Sequence, residues 1–293
     1  MDKGIIFSDK NEYGRAFAKI ALLLSILAVV YIADLLLLSI CTGGYFFTEF
    51  TQGRMSQPQN HILNIAYILL LYISMTTTII LFRNKNFKDR KITDSYFSGD
   101  IKKPLFWGIS IGAVLFFTFF LVISPFSKSE KIEFTQLEII KHTLINIIPC
   151  FLLVISEEVI FRGVMFEIFA KFLKKNQAII FTSVMFGFAH LFCHGTPLYK
   201  FVYFLNLFTM SIILCTATVH FKNIWCSTGI HFIFVYLILM RNYLQISLLK
   251  ESYKNIFLGF DNSPVTGLTA LGIMVIAFGL YKIIYIKKKD CKK

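Results

Sequence analysis

A chain of 293 residues that is 56% hydrophobic, with mean hydropathy +0.66 and only 16% charged residues, carries too little polar surface for a soluble globule of that length. It reads as all-α, a polytopic membrane helix bundle. The net charge of +13 sits in short clusters between apolar runs (residues 83–91, 171–175 and 282–293), which suits loop topology and anionic lipid headgroups rather than a nucleic-acid partner.

A bilayer core takes about 20 apolar residues per helix. Eight segments qualify: 17–41, 62–82, 105–125, 144–166, 178–193, 201–220, 225–243 and 265–286. The first follows a polar stretch of mixed charge and lacks a small-residue cleavage site, so it reads as a span and not a signal peptide. Its Asp34 is a carboxylate at membrane depth with no evident partner. The fourth segment contains Pro149 and ends in two glutamates, and both features predict an interruption. The fifth is short and stops at His194-Gly195-Thr196-Pro197. Lys- and Arg-rich segments alternate broadly with poor ones, which predicts a multi-pass protein of the cell membrane with both termini cytoplasmic. No duplicated halves are visible, which argues against an inverted-repeat transporter. The whole chain, 1–293, is taken as a single membrane domain with its functional core at 144–243. Six cysteines form no CxxC pair and imply neither a disulfide framework nor a zinc finger. Cys291, near the end, lacks a prenylation box.

The chemistry is concentrated in Ser156-Glu157-Glu158-Val159-Ile160-Phe161-Arg162-Gly163. Glu158 and Arg162 are four residues apart and share a helix face, so they can pair. Glu157 lies about 100° around the helix. The pairing leaves Glu157 as a desolvated carboxylate suited to general-base work. The blander alternative is an intrahelical ion pair with a second glutamate reaching for the interface. Two further segments hold histidines among small residues that permit close helix approach. Phe186 and His190 share a face beside Gly187 and Ala189, and His231 follows Ser227-Thr228-Gly229. Each histidine alone reads as a satisfied core group. Together with the glutamates and Arg162 they read as one convergent site, because ionised groups at a helix centre cost roughly 2.5–3.5 kcal/mol each unless they satisfy one another. His194 lies four residues after His190 without the glutamate of a zincin motif and reads as interfacial, as do His61, His142, His220 and Lys222.

These residues resemble the CAAX-protease and bacteriocin-processing family of intramembrane endopeptidases, also called the Abi family. Glu157, Glu158 and Arg162 match its first motif, Phe186 and His190 its second, and His231, with Trp225 upstream, the start of its third. The third motif ends in Asn or Asp, whereas this chain has Val235. The resemblance implies hydrolysis of a peptide or membrane-protein substrate within the lipid bilayer, with bacteriocin or peptide-pheromone processing or self-immunity as the setting. It implies that Glu157 and His190 activate water, that His231 stabilises the tetrahedral intermediate, and that Glu158, Arg162 and Phe186 support them. It implies either no cofactor or a zinc ion held by Glu157, His190 and His231. Asn206 is a candidate to replace the donor that Val235 lacks. The rival reading, which Val235 favours, is a non-proteolytic immunity or scaffolding protein that retains the fold.

Overall fold

A computed structural model describes residues 10–51, 61–86, 99–128, 135–191, 196–240, 248–249, 255–259 and 266–290. In chain order the helices are α1 (Lys10–Cys41), α2 (Tyr45–Thr51), α3 (His61–Asn86), α4 (Lys102–Ile123), α5 (Gln136–Glu158), a π-helical turn (Val159–Met165), α6 (Phe166–Phe172), α7 (Lys175–Ala189), α8 (Pro197–Phe221), α9 (Trp225–Met240) and α10 (Leu268–Asp290). The strand content among the described residues is minimal, a two-residue antiparallel ladder of β1 (Ser127–Lys128) with β2 (Leu248–Leu249) and an isolated bridge between Asn255 and Gly259. Each of the eight apolar segments therefore has its helix. By length and composition, five runs can cross a membrane: Phe17–Cys41, Ile65–Lys85, Lys102–Phe126, Gln136–Phe172 and Pro197–Phe221. Trp225–Met240 and Leu268–Lys282 are shorter apolar helices, and α7 has 15 residues. Outer faces carry large apolar side chains such as Val29, Ile32, Leu36 and Ile40 on α1, and Phe106, Val114, Phe117 and Leu121 on α4. This is the surface of a multi-pass membrane protein, whose solvent is lipid.

Local sequence sets the helix ends nearest the site. Thr135 opens α5 with a capping box: its hydroxyl accepts from the Glu138 amide, and the Glu138 carboxylate accepts from the Thr135 amide. Thr196 caps α8, with Pro197 in its first turn. Lys222 takes the left-handed conformation (φ 56°) at the end of α8, and the Asn223 side chain accepts from the Trp225 amide as α9 begins. The expected interruption at Pro149 and the glutamates does not occur there. α5 runs through Pro149 to Glu158, because proline removes a single amide and flanking helices α3 and α9 cover the site. The irregularity comes just after the glutamates, where the Phe166 amide reaches back five residues to the Phe161 carbonyl. All seven residues of this π turn are buried, and such turns concentrate at functional sites.

The apolar core falls into two clusters. One joins α1, α3, the π turn, α6 and α7 around Leu23, Ile79, Val164, Phe169 and Phe186. The other joins α4, α8, α9 and α10 around Phe119, Leu214, Ile230, Phe234 and Met274. Within the second, α4 and α9 cross at backbone contact. A Cβ on Gly108 would strike the Cys226 carbonyl, one on Gly112 the Ile230 carbonyl and the Ile233 side chain, and one on Gly229 the Leu105 carbonyl. Two buried polar pairs tie the first cluster together. The Ser74 hydroxyl on α3 donates to Asp34 on α1, supplying the partner that the sequence did not reveal. Arg83, expected among the loop charges, is instead fully buried on α3, and its guanidinium donates to both carboxylate oxygens of Glu167 on α6 at 3.1 and 3.3 Å.

The α4–α9 crossing gives a stability prediction. Gly108→Ala and Gly112→Ala should each destabilise the bundle by about 1–3 kcal/mol through overpacking, whereas Gly272→Ala, where the added Cβ meets nothing within 4 Å, should not. Thermal unfolding in detergent micelles checks the contrast.

Candidate active site

The site lies between the two apolar clusters, where the end of α5 meets α7, α8 and α9. Glu158 is fully buried and turns inward. Its Oε1 accepts from Arg162 Nη1 at 2.9 Å, as the four-residue spacing requires. The same oxygen accepts from Nδ1 of His231 on α9, also at 2.9 Å. Arg162, equally buried, donates through Nη2 to the Ser211 hydroxyl of α8 at 3.0 Å. Its guanidinium carbon lies 4.4 Å from the centre of the Phe186 ring of α7, a cation–π contact in a desolvated setting. One ion pair thus reaches three other helices.

Glu157 faces the other way and retains about a fifth of its side-chain exposure. Its Oε2 lies 3.8 Å from Nε2 of His231 and 3.9 Å from Nε2 of His190. These separations exceed direct hydrogen bonds and suit a small bridging group. His190 closes α7 as its C-cap, at φ −101° and ψ 1°. Its Nδ1 lies 2.8 Å from the Phe186 carbonyl, and a carbonyl only accepts, so the hydrogen sits on Nδ1. In His231 the Nδ1 hydrogen is likewise directed at the Glu158 carboxylate. Both rings therefore turn Nε2 toward Glu157. Phe186 packs between them, its ring centre 4.7 Å from that of His190 and 5.9 Å from that of His231.

The structure thus brings together all six residues singled out from the motifs: Glu157, Glu158, Arg162, Phe186, His190 and His231. It adds that His231 spans both glutamates, a link not expected from a division in which Glu158 serves Arg162 alone. It also adds Ser211, whose only sequence signal was a small polar residue inside an apolar helix. Val235 lies one turn after His231 on the same face and is half-buried; its side chain offers no donor. Asn206 does not replace it, because its amide group donates to the carbonyls of Val202 and Gly267 and clamps the approach to α10. His220 is exposed and bonds the Tyr281 hydroxyl at 3.1 Å. His194 and the side chains of His61 and His142 lie outside the described residues.

Glu157, His190 and His231 have the donor types that zinc takes, with both imidazole lone pairs directed inward and both Nδ1 hydrogens tied back. Among the described residues, however, no group of three His, Cys, Asp or Glu side chains is drawn close enough to hold a metal ion.

The model of the family described as type II CAAX prenyl endopeptidase Rce1-like matches residues 140–237, about a third of the chain. That stretch contains all six residues of the site. No curated protein and no solved structure matches the chain.

The two glutamates differ in what their removal costs. Glu158→Ala leaves the buried Arg162 charge without its carboxylate and should destabilise the protein by about 3–5 kcal/mol. Glu157→Gln is nearly isosteric, at a side chain about a fifth exposed and without an ion pair to Lys or Arg among the described residues, and its unfolding temperature should stay close to wild type. Differential scanning fluorimetry of the two purified variants measures the difference.

Proposed function

We propose that this chain, whose residues 140–237 match the type II CAAX prenyl endopeptidase Rce1-like family, is an intramembrane endopeptidase that hydrolyses a peptide or protein precursor at the membrane. A bacteriocin or peptide-pheromone precursor is the substrate class that fits, with self-immunity as a related role. One observation carries the reading: a single carboxylate oxygen of Glu157 faces two imidazole Nε2 atoms at 3.8 and 3.9 Å, each ring fixed by a hydrogen bond on its far side. One carboxylate oxygen and two imidazole nitrogens around one small space are suited to hold and polarise a water molecule.

In the reaction, Glu157 takes a proton from that water as its oxygen attacks the scissile carbonyl carbon. A C–O bond forms and the carbonyl electron pair moves onto oxygen. When the intermediate collapses the C–N bond breaks, and the proton held by Glu157 passes to the departing amine. The histidines play unequal parts because their supports differ. His190 is held by the Phe186 carbonyl and orients the water. His231 is held by the Glu158 carboxylate through Nδ1 and is placed to stabilise the negative charge that develops on oxygen. Glu158 acts only through His231 and Arg162 and is a positioning residue. Where zinc is bound, Glu157, His190 and His231 would hold it, and it would polarise the same water; none of the steps above passes through it.

Val235 favours one other reading, a membrane partner that keeps the fold without hydrolysis. The two are separated by comparing peptide termini in membranes from cells expressing wild type, Glu157→Gln or His190→Ala. A peptidase yields new termini with wild type and none with either variant, all three proteins being inserted to the same level. Wild-type cleavage by either variant overturns the mechanism. Termini identical in all three, with the cellular phenotype intact, favour the non-proteolytic partner. A strong chelator then divides the two forms of the chemistry: loss of cleavage reversed by zinc assigns the trio as ligands, and undiminished cleavage assigns the water to Glu157 and the histidines alone.

A further inference from the structure

The site is rich in acceptors and poor in donors. Glu157 only accepts, both Nδ1 hydrogens are committed elsewhere, and Val235 carries no polar atom. Hydrolysis nevertheless builds negative charge on the former carbonyl oxygen, and a fixed neutral donor there needs no proton uptake beforehand.

α3 offers such a group. Ser74 faces α1, since it bonds Asp34. Tyr72, two residues earlier and about 200° around the helix, points away from α1, toward the side where α3 packs on α5 and the π turn. Tyr72 shares that face with Ile79 and Arg83, at spacings of seven and eleven residues. Arg83 fixes the register through its paired bonds to Glu167. α3 and α5 run the same way, since Arg83 near the end of α3 meets Glu167 beyond the end of α5 while the rest of α3 packs back along α5 and the π turn. Counting back eleven residues from Arg83 covers ~16 Å at helical rise, and ten residues back from Glu167, across the π turn, cover a similar but shorter length, which brings Tyr72 to within about a turn of the level of Glu157. Tyr72 is only partly buried, and its hydroxyl bonds none of the described residues.

We propose that Tyr72 is a further catalytic residue, its phenol donating a hydrogen bond to the oxyanion of the tetrahedral intermediate from the α3 side, opposite His231. No proton leaves the phenol and no covalent bond forms to it. The bond strengthens as charge develops on the substrate oxygen and relaxes when the carbonyl re-forms. The inference rests on the endopeptidase reading, and its test keeps the two apart.

The test uses the full-length protein in proteoliposomes with a library of quenched-fluorescent hydrophobic peptides. Wild type, Tyr72→Phe, Glu157→Gln and the double variant Tyr72→Phe/Val235→Asn are compared on the same peptides. The expected result is that Tyr72→Phe cleaves the wild-type bonds with kcat lower by ~100- to 1,000-fold and KM unchanged, the range found when one oxyanion donor is lost. Val235→Asn returns a donor one turn from His231 and should recover at least a tenfold share of that loss. A Tyr72→Phe variant at the wild-type rate, with Glu157→Gln inactive, overturns the role of Tyr72 and leaves the endopeptidase standing. A slow Tyr72→Phe whose KM rises in step, with no recovery from Val235→Asn, makes Tyr72 structural and also overturns the proposal. Cleavage by Glu157→Gln at the wild-type rate, or no cleavage by wild type, removes the reading beneath both.

Discussion

The carboxylate of Glu158 is the point on which the two halves of this bundle meet. One of its oxygens accepts from Arg162 on its own helical run and from His231 on α9, and Arg162 carries the connection on to Ser211 of α8 and the Phe186 ring of α7. The apolar clusters on either side share no comparable link. Placing two full charges where neither retains solvent costs several kcal/mol per ion, and their attraction repays this only when the geometry is good and further hydrogen bonds are made. The charged network therefore contributes specificity more than net stability. It admits one arrangement of α5, α7, α8 and α9, and in that arrangement His231 has one orientation.

Two backbone features make the arrangement reachable. The π turn follows the glutamates directly and widens the helix by an extra residue per hydrogen-bonded turn at Phe161–Phe166. That buries Phe161, Arg162 and Gly163 together while leaving Glu157 on the regular turn before it. On the opposite wall, the bare Cα atoms of Gly108, Gly112 and Gly229 let α9 lie against α4 at backbone distance. His231 falls two residues after Gly229, so the position of the imidazole is set by a crossing in which side chains take little part. The reacting groups thus rest on helices whose spacing is fixed from both sides, the condition for a preorganised site.

Much of this was legible in the residues themselves. Hydropathy located every helix near the site, the four-residue spacing located the Glu158–Arg162 pair, and motif order located both histidines. Three things were not legible. The hydrogen bond from His231 to Glu158 joins residues 73 positions apart, and periodicity within one helix carries no information about it. Pro149 reads as a break because propensity counts the missing amide, whereas the bundle covers it. Arg83 reads as a loop charge because its partner, Glu167, lies 84 residues on; within its own segment it is simply a cation at the end of an apolar run. In each case local sequence states what a residue needs, and tertiary packing decides who supplies it.

Charge balance explains why the two neighbouring glutamates have such different surroundings. Glu158 and Arg162 cancel, so the buried part of the cluster is close to neutral and can be sealed from solvent. Among the described residues Glu157 pairs with no Lys or Arg, only with two histidines whose Nε2 atoms face it at nearly 4 Å. An isolated carboxylate in hydrocarbon would be prohibitively costly, and its partial exposure is the means by which it stays tolerable. The Oε2 oxygen that faces the histidines is nevertheless buried and bonds none of the described residues, which leaves a place for a small polar group beside Phe186. Sealing Glu157 as tightly as Glu158 would demand a second cation, and a second cation would hold Glu157 in an ion pair. The asymmetry between the two carboxylates is thus what lets one of them anchor the helices while the other remains available for chemistry.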